Sequence, residues 1–325
     1  MTPIRVSLGT AIVLGLTDAR ADVLPTTAYL MVGERCTHDC AFCAQACSSA
    51  ARPDALSRVT WPLYDEAETL AALARAAQAN RIRRACFQAT VSPGTIATVA
   101  RLTAALRALA DLPISTSVRP GSLDEIGALL DAGVTRVGLS LDAASPAVYR
   151  AVKGSELTEA WALLEAAARR YPGRIATHLI VGLGESERDL VTAIQRAHDL
   201  GVTVGLFAFT PVRGTALAHQ SPPALAHYRR MQVARHLIVT GTPHLGGDRR
   251  IFDDAGRLVS FGLREEELRG LLADGAAFRT SGCLDCNRPY YNERPGGDIY
   301  NYARPLTSAE IELAIAASVQ PPGVW

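Results

Sequence analysis

Eight short apolar runs, spaced by Ala- and Leu-rich stretches of helix length, limit what this 325-residue chain can fold into. The runs span 26–33, 84–89, 114–118, 136–141, 175–182, 202–209, a weak one at 257–261, and 276–281. Helical patterns at 66–80, 93–110, 123–132, 159–170, 187–200 and 224–239 lie between them. Pro93 suits a first helical turn, where a missing N–H costs nothing. Strands separated by helices cannot pair as hairpins, so the sheet is parallel. Right-handed crossovers then leave an open doubly wound sheet or a closed barrel. Eight candidate strands in about 300 residues suit an α/β fold of the (β/α)8 TIM type. No composition break or Ser/Gly linker divides the chain, and 48% hydrophobic content fills a sizeable core. The expected organisation is one domain over 1–325: a short N-terminal helical extension (1–25), a barrel (26–282) and an irregular, cysteine-containing tail (283–325).

Charge and cysteine usage narrow the setting. A net charge of +1 gives no bulk electrostatic argument for nucleic acid or membrane. The apolar stretch 11–16 is short and bracketed by Arg5 and by Asp18, Arg20 and Asp22, which argues against a signal peptide or spanning helix. A helix packed on the body is expected there, in a cytoplasmic protein whose thiols stay reduced. Seven cysteines are an odd number and too sparse for a disulfide framework.

Three of them, Cys36, Cys40 and Cys43, stand as Cys-x3-Cys-x2-Cys directly after the first apolar run. Thiolates ligate iron–sulfur clusters, and three can hold three irons of a four-iron cube while the fourth iron stays open. Zinc is the competing occupant, with Cys47 as a further ligand. A ferredoxin run needs Cys-x2-Cys-x2-Cys and a later Cys-Pro, whereas Ser48 follows Cys47.

In a barrel of this type chemistry falls at the C-terminal ends of strands. The cysteine loop follows the first strand. The fourth ends Gly138-Leu-Ser140-Leu-Asp142, with Ser140 and Asp142 on one side by the period of two. Asp142 can accept ribose hydroxyls or, with Ser145, cap the next helix. The fifth runs into Ile180-Val-Gly182, where glycine either admits a flat ring or makes an ordinary turn. No Ser-His-Asp set or zinc-hydrolase motif competes, and the scattered histidines read as packing or surface residues.

The run Cys36-Thr-His-Asp-Cys40-Ala-Phe42-Cys43 resembles the signature of the radical SAM enzymes. That resemblance implies a [4Fe-4S] cluster on the three cysteines, S-adenosylmethionine chelated to its open iron, and a 5′-deoxyadenosyl radical released by electron transfer. Over roughly residues 25 to 283 the chain is similar to biotin synthase, in Cys40 to Gln45, Arg84-Ala-Cys86-Phe87, Ile180 to Glu185 and Pro211 to Leu217. By that similarity Phe42, Gln88, Ala89, Ser140, Asp142 and Ile180 to Gly182 surround S-adenosylmethionine.

Departures from biotin synthase are equally informative. That family holds a two-iron cluster on three barrel cysteines and an arginine. Cys86 matches the first cysteine, but Ile114-Ser-Thr-Ser117 offers hydroxyls in place of the second, and Arg174-Ile-Ala-Thr177 lacks the third. Instead Cys283-Leu-Asp-Cys286 follows the eighth apolar run. Cys86, Cys283 and Cys286, converging above or within the barrel mouth, are expected to carry a second, auxiliary iron–sulfur cluster, with Ser281, Cys47 or His178 as candidate fourth ligand. A structural zinc, a redox dithiol or, for Cys86 alone, a buried thiol are the other readings.

The tail 287–302, rich in tyrosine, proline and glycine, either plugs the barrel or forms a lid that brings Arg288 or Arg294 to a substrate carboxylate. With Thr280 to Cys286 and Leu56-Ser-Arg-Val-Thr-Trp61, it is similar to the two-protein lipoyl synthases of archaea and some bacteria. The resemblance implies a sulfurtransferase of lipoate biosynthesis that inserts sulfur at C6 or C8 of a protein-bound octanoyl chain. Its partners would be a second radical SAM component, an octanoylated lipoyl-carrier domain and an electron donor such as ferredoxin or flavodoxin. A divergent biotin synthase acting on dethiobiotin and a non-catalytic iron–sulfur or zinc subunit are the alternatives.

Overall fold

A computed structural model describes residues 2–241, 251–293 and 296–319. Its elements, in chain order, are β1 (Pro3–Val6), α1 (Leu8–Leu14), β2 (Thr27–Val32), a small hairpin β3 (Ala55–Leu56) and β4 (Val59–Thr60), β5 (Leu63–Asp65), α2 (Glu66–Gln78), β6 (Arg84–Ala89), α3 (Thr95–Leu109), β7 (Ile114–Val118), α4 (Leu123–Asp131) and β8 (Arg136–Leu139). Then come α5 (Pro146–Lys153), α6 (Leu157–Arg170), β9 (Ile175–Val181), α7 (Glu187–Asp199), β10 (Thr203–Ala208), α8 (Leu225–Val239), α9 (Glu265–Leu272), a 3-10 turn (Ala276–Phe278) and α10 (Ser308–Val319).

The first six apolar runs form parallel strands in the order β2-β6-β7-β8-β9-β10. With alternating helices they give the α/β, TIM-type arrangement. Local chemistry agrees with the elements: Asp65, Ser122, Ser145 and Ser186 accept a backbone N–H at the starts of α2, α4, α5 and α7. Pro93 falls just outside its helix, since Gly94 takes the cap position of α3.

Two expected strands do not form among the described residues. Segment 257–261 makes only a lone bridge, Phe252 with Leu258. The run 276–281 tightens into the 3-10 turn and a single bridge, Arg279 with Tyr302. The reason lies at the other edge of the sheet. β1, an unexpected strand, pairs antiparallel with β2 (Arg5 opposite Met31, Val6 opposite Leu30), and β5 pairs with β1. The edge of β2 that a closing strand would need is therefore taken.

The tail spans the gap instead. Ser281 Oγ accepts the Leu206 N–H of β10 at 2.8 Å. On the far side the Asp285 carbonyl accepts the hydroxyls of Thr26 and Thr27, at 2.7 and 2.8 Å, where β2 begins. Backbone meets backbone at Gly205, where a Cβ would lie 3.4 Å from the Ser281 carbonyl and 3.7 Å from the Gly282 Cα. The tail is not irregular throughout, because α10 packs against α8. Among the described residues no helix is long and apolar enough to cross a membrane.

Candidate functional site

Strand register places the interior residues. Met31, Gln88, Ser117, Ser140, His178, Ile180 and Phe207 line one cavity of about 230 Å3. Period-two alternation puts Tyr29, Cys86 and Ser115 on the same interior face, one step nearer the strand starts, where they lie opposite one another in the ladder.

Above the C-terminal strand ends, the loop after β2 folds over this cavity. Gly33 turns it at φ +96°, where a Cβ would strike Thr90 Oγ1 at 2.3 Å. The Arg35 guanidinium then staples the loop by donating to the carbonyls of Ala46, Ser49 and Ala51, at 3.0, 2.7 and 3.1 Å. Gln45 donates to the carbonyls of Pro53 and Ala55, and the Val91 N–H points at Cys36 Sγ at 3.3 Å. Cys36, Cys40 and Cys43 all line the cavity, and all seven cysteines of the chain are free. Burial pushes the Cys40 thiol up and the Cys43 thiol up to about 12. Cys47 is exposed on the outer side of the loop and does not join them.

Among the described residues no three His, Cys, Asp or Glu side chains close tightly enough to hold a single ion. Three thiols that line one cavity and face one another are a donor set that fits an iron–sulfur cluster held by three thiolates.

The cavity wall holds a buried charge network. Asp142 ion-pairs with Lys153 of α5, and its Oδ1 lies 2.8 Å from His178 Nε2. Burial opposes ionisation of Asp142, but Lys153 and His178 outweigh it and hold the carboxyl well below the usual range. Burial likewise opposes the Lys153 charge, which Asp142 and Cys40 restore, raising its pKa. Asp142 is therefore not the cap of α5; Ser145 is. Phe42, Gln88, Ser140, Asp142 and Ile180 do line the cavity, but Gly182 does not. Gly182 packs against Pro223, which a Cβ would meet at 2.9 Å.

Sequence reading missed Lys153, Arg119 and the role of His178, which is a wall residue rather than packing or surface. Arg119 follows β7 and lines the cavity, yet its Nη1 is buried with no partner among the described residues. That orphaned donor fits an anionic group such as the carboxylate of S-adenosylmethionine. The available signal was the place of Arg119 just past β7 and that of His178 two residues before Ile180 on the same face of β9. Lys153, on a helix, gave none.

The second cysteine group forms at the opposite end of the strands, not at the barrel mouth. The loop 283–286 sits where β2 and β6 begin, with Arg84 Nε donating to the Leu284 carbonyl at 2.8 Å and Arg83 paired to Asp285 at 2.8 Å. Cys286 N–H donates to the Cys283 carbonyl in a tight turn. Cys86 reaches this group from β6. Burial pushes its thiol up to about 12, and Cys283 and Cys286 add to the rise. Tyr29 Oη lies 3.4 Å from Cys286 Sγ. Gln88 joins the two ends, lining the upper cavity while its Nε2 donates to Cys86 Sγ at 3.0 Å.

Of the proposed fourth ligands, Cys47 is at the wrong end, His178 is held by Asp142, and Ser281 Oγ already accepts from Leu206. The tail enters the interior. Arg288 stacks on Phe207 at 3.7 Å and donates to the Ser281 carbonyl at 2.9 Å. Tyr291 lines the cavity, and its carbonyl accepts the Ser57 hydroxyl of the β3–β4 hairpin at 2.8 Å. Arg294 lies outside the described residues.

Comparison with solved structures shows the same fold at low identity. The chain is similar to the FeFe-hydrogenase maturase HydG from Carboxydothermus hydrogenoformans, with TM-score 0.53 and 16% identity over 89% of this chain and 65% of that one. It is similar to another structure of the [FeFe]-hydrogenase maturase HydG, with TM-score 0.54 and 11% identity over 66% of this chain, and it spans half of that protein's length. Methylornithine synthase (PylB) matches with TM-score 0.53 and 13% identity over 89% of this chain and 85% of that one. No curated protein matches the chain. The sequence profile of the Radical SAM superfamily matches residues 30–197, more than half the chain. With that match over the cysteine loop and the strands behind it, the chain belongs to the radical SAM superfamily, whose members use a [4Fe-4S] cluster and S-adenosylmethionine.

Proposed function

We propose that this chain is a radical SAM sulfur-insertion enzyme, one component of a two-protein lipoyl synthase acting at C6 or C8 of a protein-bound octanoyl chain. The observation that carries the reading is a pair of cysteine groups at the two ends of one interior, bridged by Gln88. Cys36, Cys40 and Cys43 would hold the cluster that binds S-adenosylmethionine. Cys86, Cys283 and Cys286 would hold an auxiliary cluster as sulfur source. When bound, the upper cluster and S-adenosylmethionine supply hydrogen-atom abstraction from an unactivated carbon, which no side chain here performs.

The chain's own residues position and exclude. Phe42, Ser140 and Ile180 offer the walls against which S-adenosylmethionine rests, and Arg119 offers its free N–H to the carboxylate. Asp142, ion-paired with Lys153 and lying 2.8 Å from His178 Nε2, keeps a polar wall in which the carboxylate is not left unpaired. Met31, Phe207, Phe209 and Tyr291 line the space with apolar surface, suited to an alkyl chain and to keeping water from a reactive carbon. The partners in this reading are a second radical SAM component, an octanoylated carrier domain and a ferredoxin- or flavodoxin-type donor.

The test is an anaerobic assay with reductant that offers octanoyl-lysine peptide or dethiobiotin, with and without a candidate partner. Thiolation of the octanoyl peptide supports the reading. Thiolation of dethiobiotin by the chain alone replaces it with the biotin synthase alternative. Absence of iron in anaerobically prepared protein removes both.

A further inference from the structure

Three thiols leave one corner of a four-iron auxiliary cluster without a protein ligand. We infer that the hydroxyl of Ser115 fills that corner, so that Cys86, Cys283, Cys286 and Ser115 form one site. This rests on the two-cluster reading and adds to it a ligand that spacing alone does not disclose.

The placement is set by the sheet. Ser115 lies directly opposite Cys86 in the β6–β7 ladder, on the interior face, and is 4% exposed. Its hydroxyl stands beside two of the three thiols. It lies within hydrogen-bond reach of both Cys86 and Cys283. Its own bond, to the Ala85 carbonyl, is long at 3.4 Å and yields readily to a better partner. Ser117, two residues on, is engaged with Ser140 at 3.3 Å, one level higher in the cavity.

The rival donors are committed elsewhere. Tyr29 Oη accepts the Arg288 N–H at 3.1 Å, and its hydrogen-bond contact to the thiols is with Cys286 Sγ at 3.4 Å. Ser281 Oγ is held at β10, and the Arg288 guanidinium is engaged by carbonyl oxygens and the Phe207 face. Ligation by Ser115 is an acid–base step with no redox change. The Fe–O bond forms as the hydroxyl proton passes to water, and any solvent on that iron departs.

The experiment uses the full chain with Cys36, Cys40 and Cys43 replaced by alanine, so that only the lower site can bind iron. After anaerobic reconstitution with iron and sulfide, this parent should retain about four irons per chain. Iron and sulfide counts, Mössbauer spectra and the electron paramagnetic resonance of the reduced cluster are then compared across variants. Ser115→Ala should lose roughly one iron per cluster or shift the spectrum of one iron site. Ser115→Cys, nearly isosteric, should keep the full iron count with a shifted signal, and it decides the matter should the alanine variant fold poorly. Tyr29→Phe should keep the parent's iron count, and an iron lost there but not in Ser115→Ala overturns the assignment. Spectra and counts unaltered in both Ser115 variants overturn the ligand assignment while leaving the cluster in place. A parent that binds no iron overturns the two-cluster reading itself.

Discussion

The two ends of the interior differ in how the chain builds them. At the C-terminal strand ends, Cys36, Cys40 and Cys43 come from one loop, stapled by Arg35 and turned by Gly33. At the N-terminal ends, Cys86 comes from β6 while Cys283 and Cys286 come from a tail that stands where a closing strand would be. The upper site depends on local loop geometry, and the lower one on the tail's docking across the gap between β10 and β2. One site is a motif; the other is a tertiary product.

The sharpest way to break this comparison is to delete each end in turn. Cys40→Ala should lower S-adenosylmethionine cleavage by at least about 1000-fold, equivalent to more than about 4 kcal/mol of barrier. Cys283→Ala should leave uncoupled cleavage within about twofold while sulfur transfer is lost. Quantifying 5′-deoxyadenosine and thiolated product in the same reactions checks both. Equal loss of both products in a folded Cys283→Ala protein would mean that the two ends are not separate functions.

The same contrast explains what was legible in the sequence. Cys36, Cys40 and Cys43 declare themselves by spacing, and six strands declare themselves by apolar runs, because both signals are local. The members of the lower group are legible as cysteines outside the motif, but their place at the N-terminal strand ends is not, since it depends on β1 occupying the edge of β2. β1 begins with Pro3 and is only a four-residue strand, too short for a periodic signal. The cap reading of Asp142 fails because its ion-pair partner, Lys153, lies on the following helix and is marked by no motif.

That ion pair tests the upper wall. Lys153→Met leaves Asp142 buried with only His178 opposite, and should cost about 3–5 kcal/mol of stability, measured by urea unfolding at neutral pH. The acid response follows from the depressed Asp142 pKa. Its contribution is fully present above the ordinary carboxylate range and is lost as pH falls through the lower folded value. In Lys153→Met the loss should begin at higher pH, because the folded carboxyl has moved up. The double variant Asp142→Asn/Lys153→Met should cost less than the sum of the single changes.

Glu185 behaves in the opposite sense. Burial pushes its carboxyl up to about 7, and its Oε2 is buried without a partner among the described residues. Between the ordinary carboxylate range and about 7 the folded chain holds a proton that the unfolded chain has released. Stability therefore falls as pH rises through that window. Glu185→Gln keeps the acceptor for the Ala144 N–H, which Oε1 now holds at 2.9 Å, and fixes the neutral form. It should raise stability above pH 7 on the order of 2 kcal/mol, flattening the pH profile of thermal unfolding between about pH 5 and 8. A steeper profile in the variant would refute the direction of the shift.

The smallest expected effect probes how the tail is fastened at the lower end. Tyr29 Oη accepts the Arg288 N–H at 3.1 Å and lies 3.4 Å from Cys286 Sγ, so one hydroxyl joins β2 to both sides of the cysteine turn. Burial raises the Tyr29 pKa well above its ordinary value, so the group is a neutral phenol at physiological pH. Tyr29→Phe keeps the ring within the cluster of Met31 and Trp61 and removes only the hydroxyl. The loss should be about 1 kcal/mol, rising toward 2 if the Arg288 N–H finds no water. Hydrogen exchange should then quicken at Cys286 and Arg288 while the amides of Cys36 to Cys47 keep their protection, because the upper loop has no bond to this tyrosine. Faster exchange at both ends would mean that the tail and the upper loop open as one unit, and that the two sites are mechanically coupled through β2.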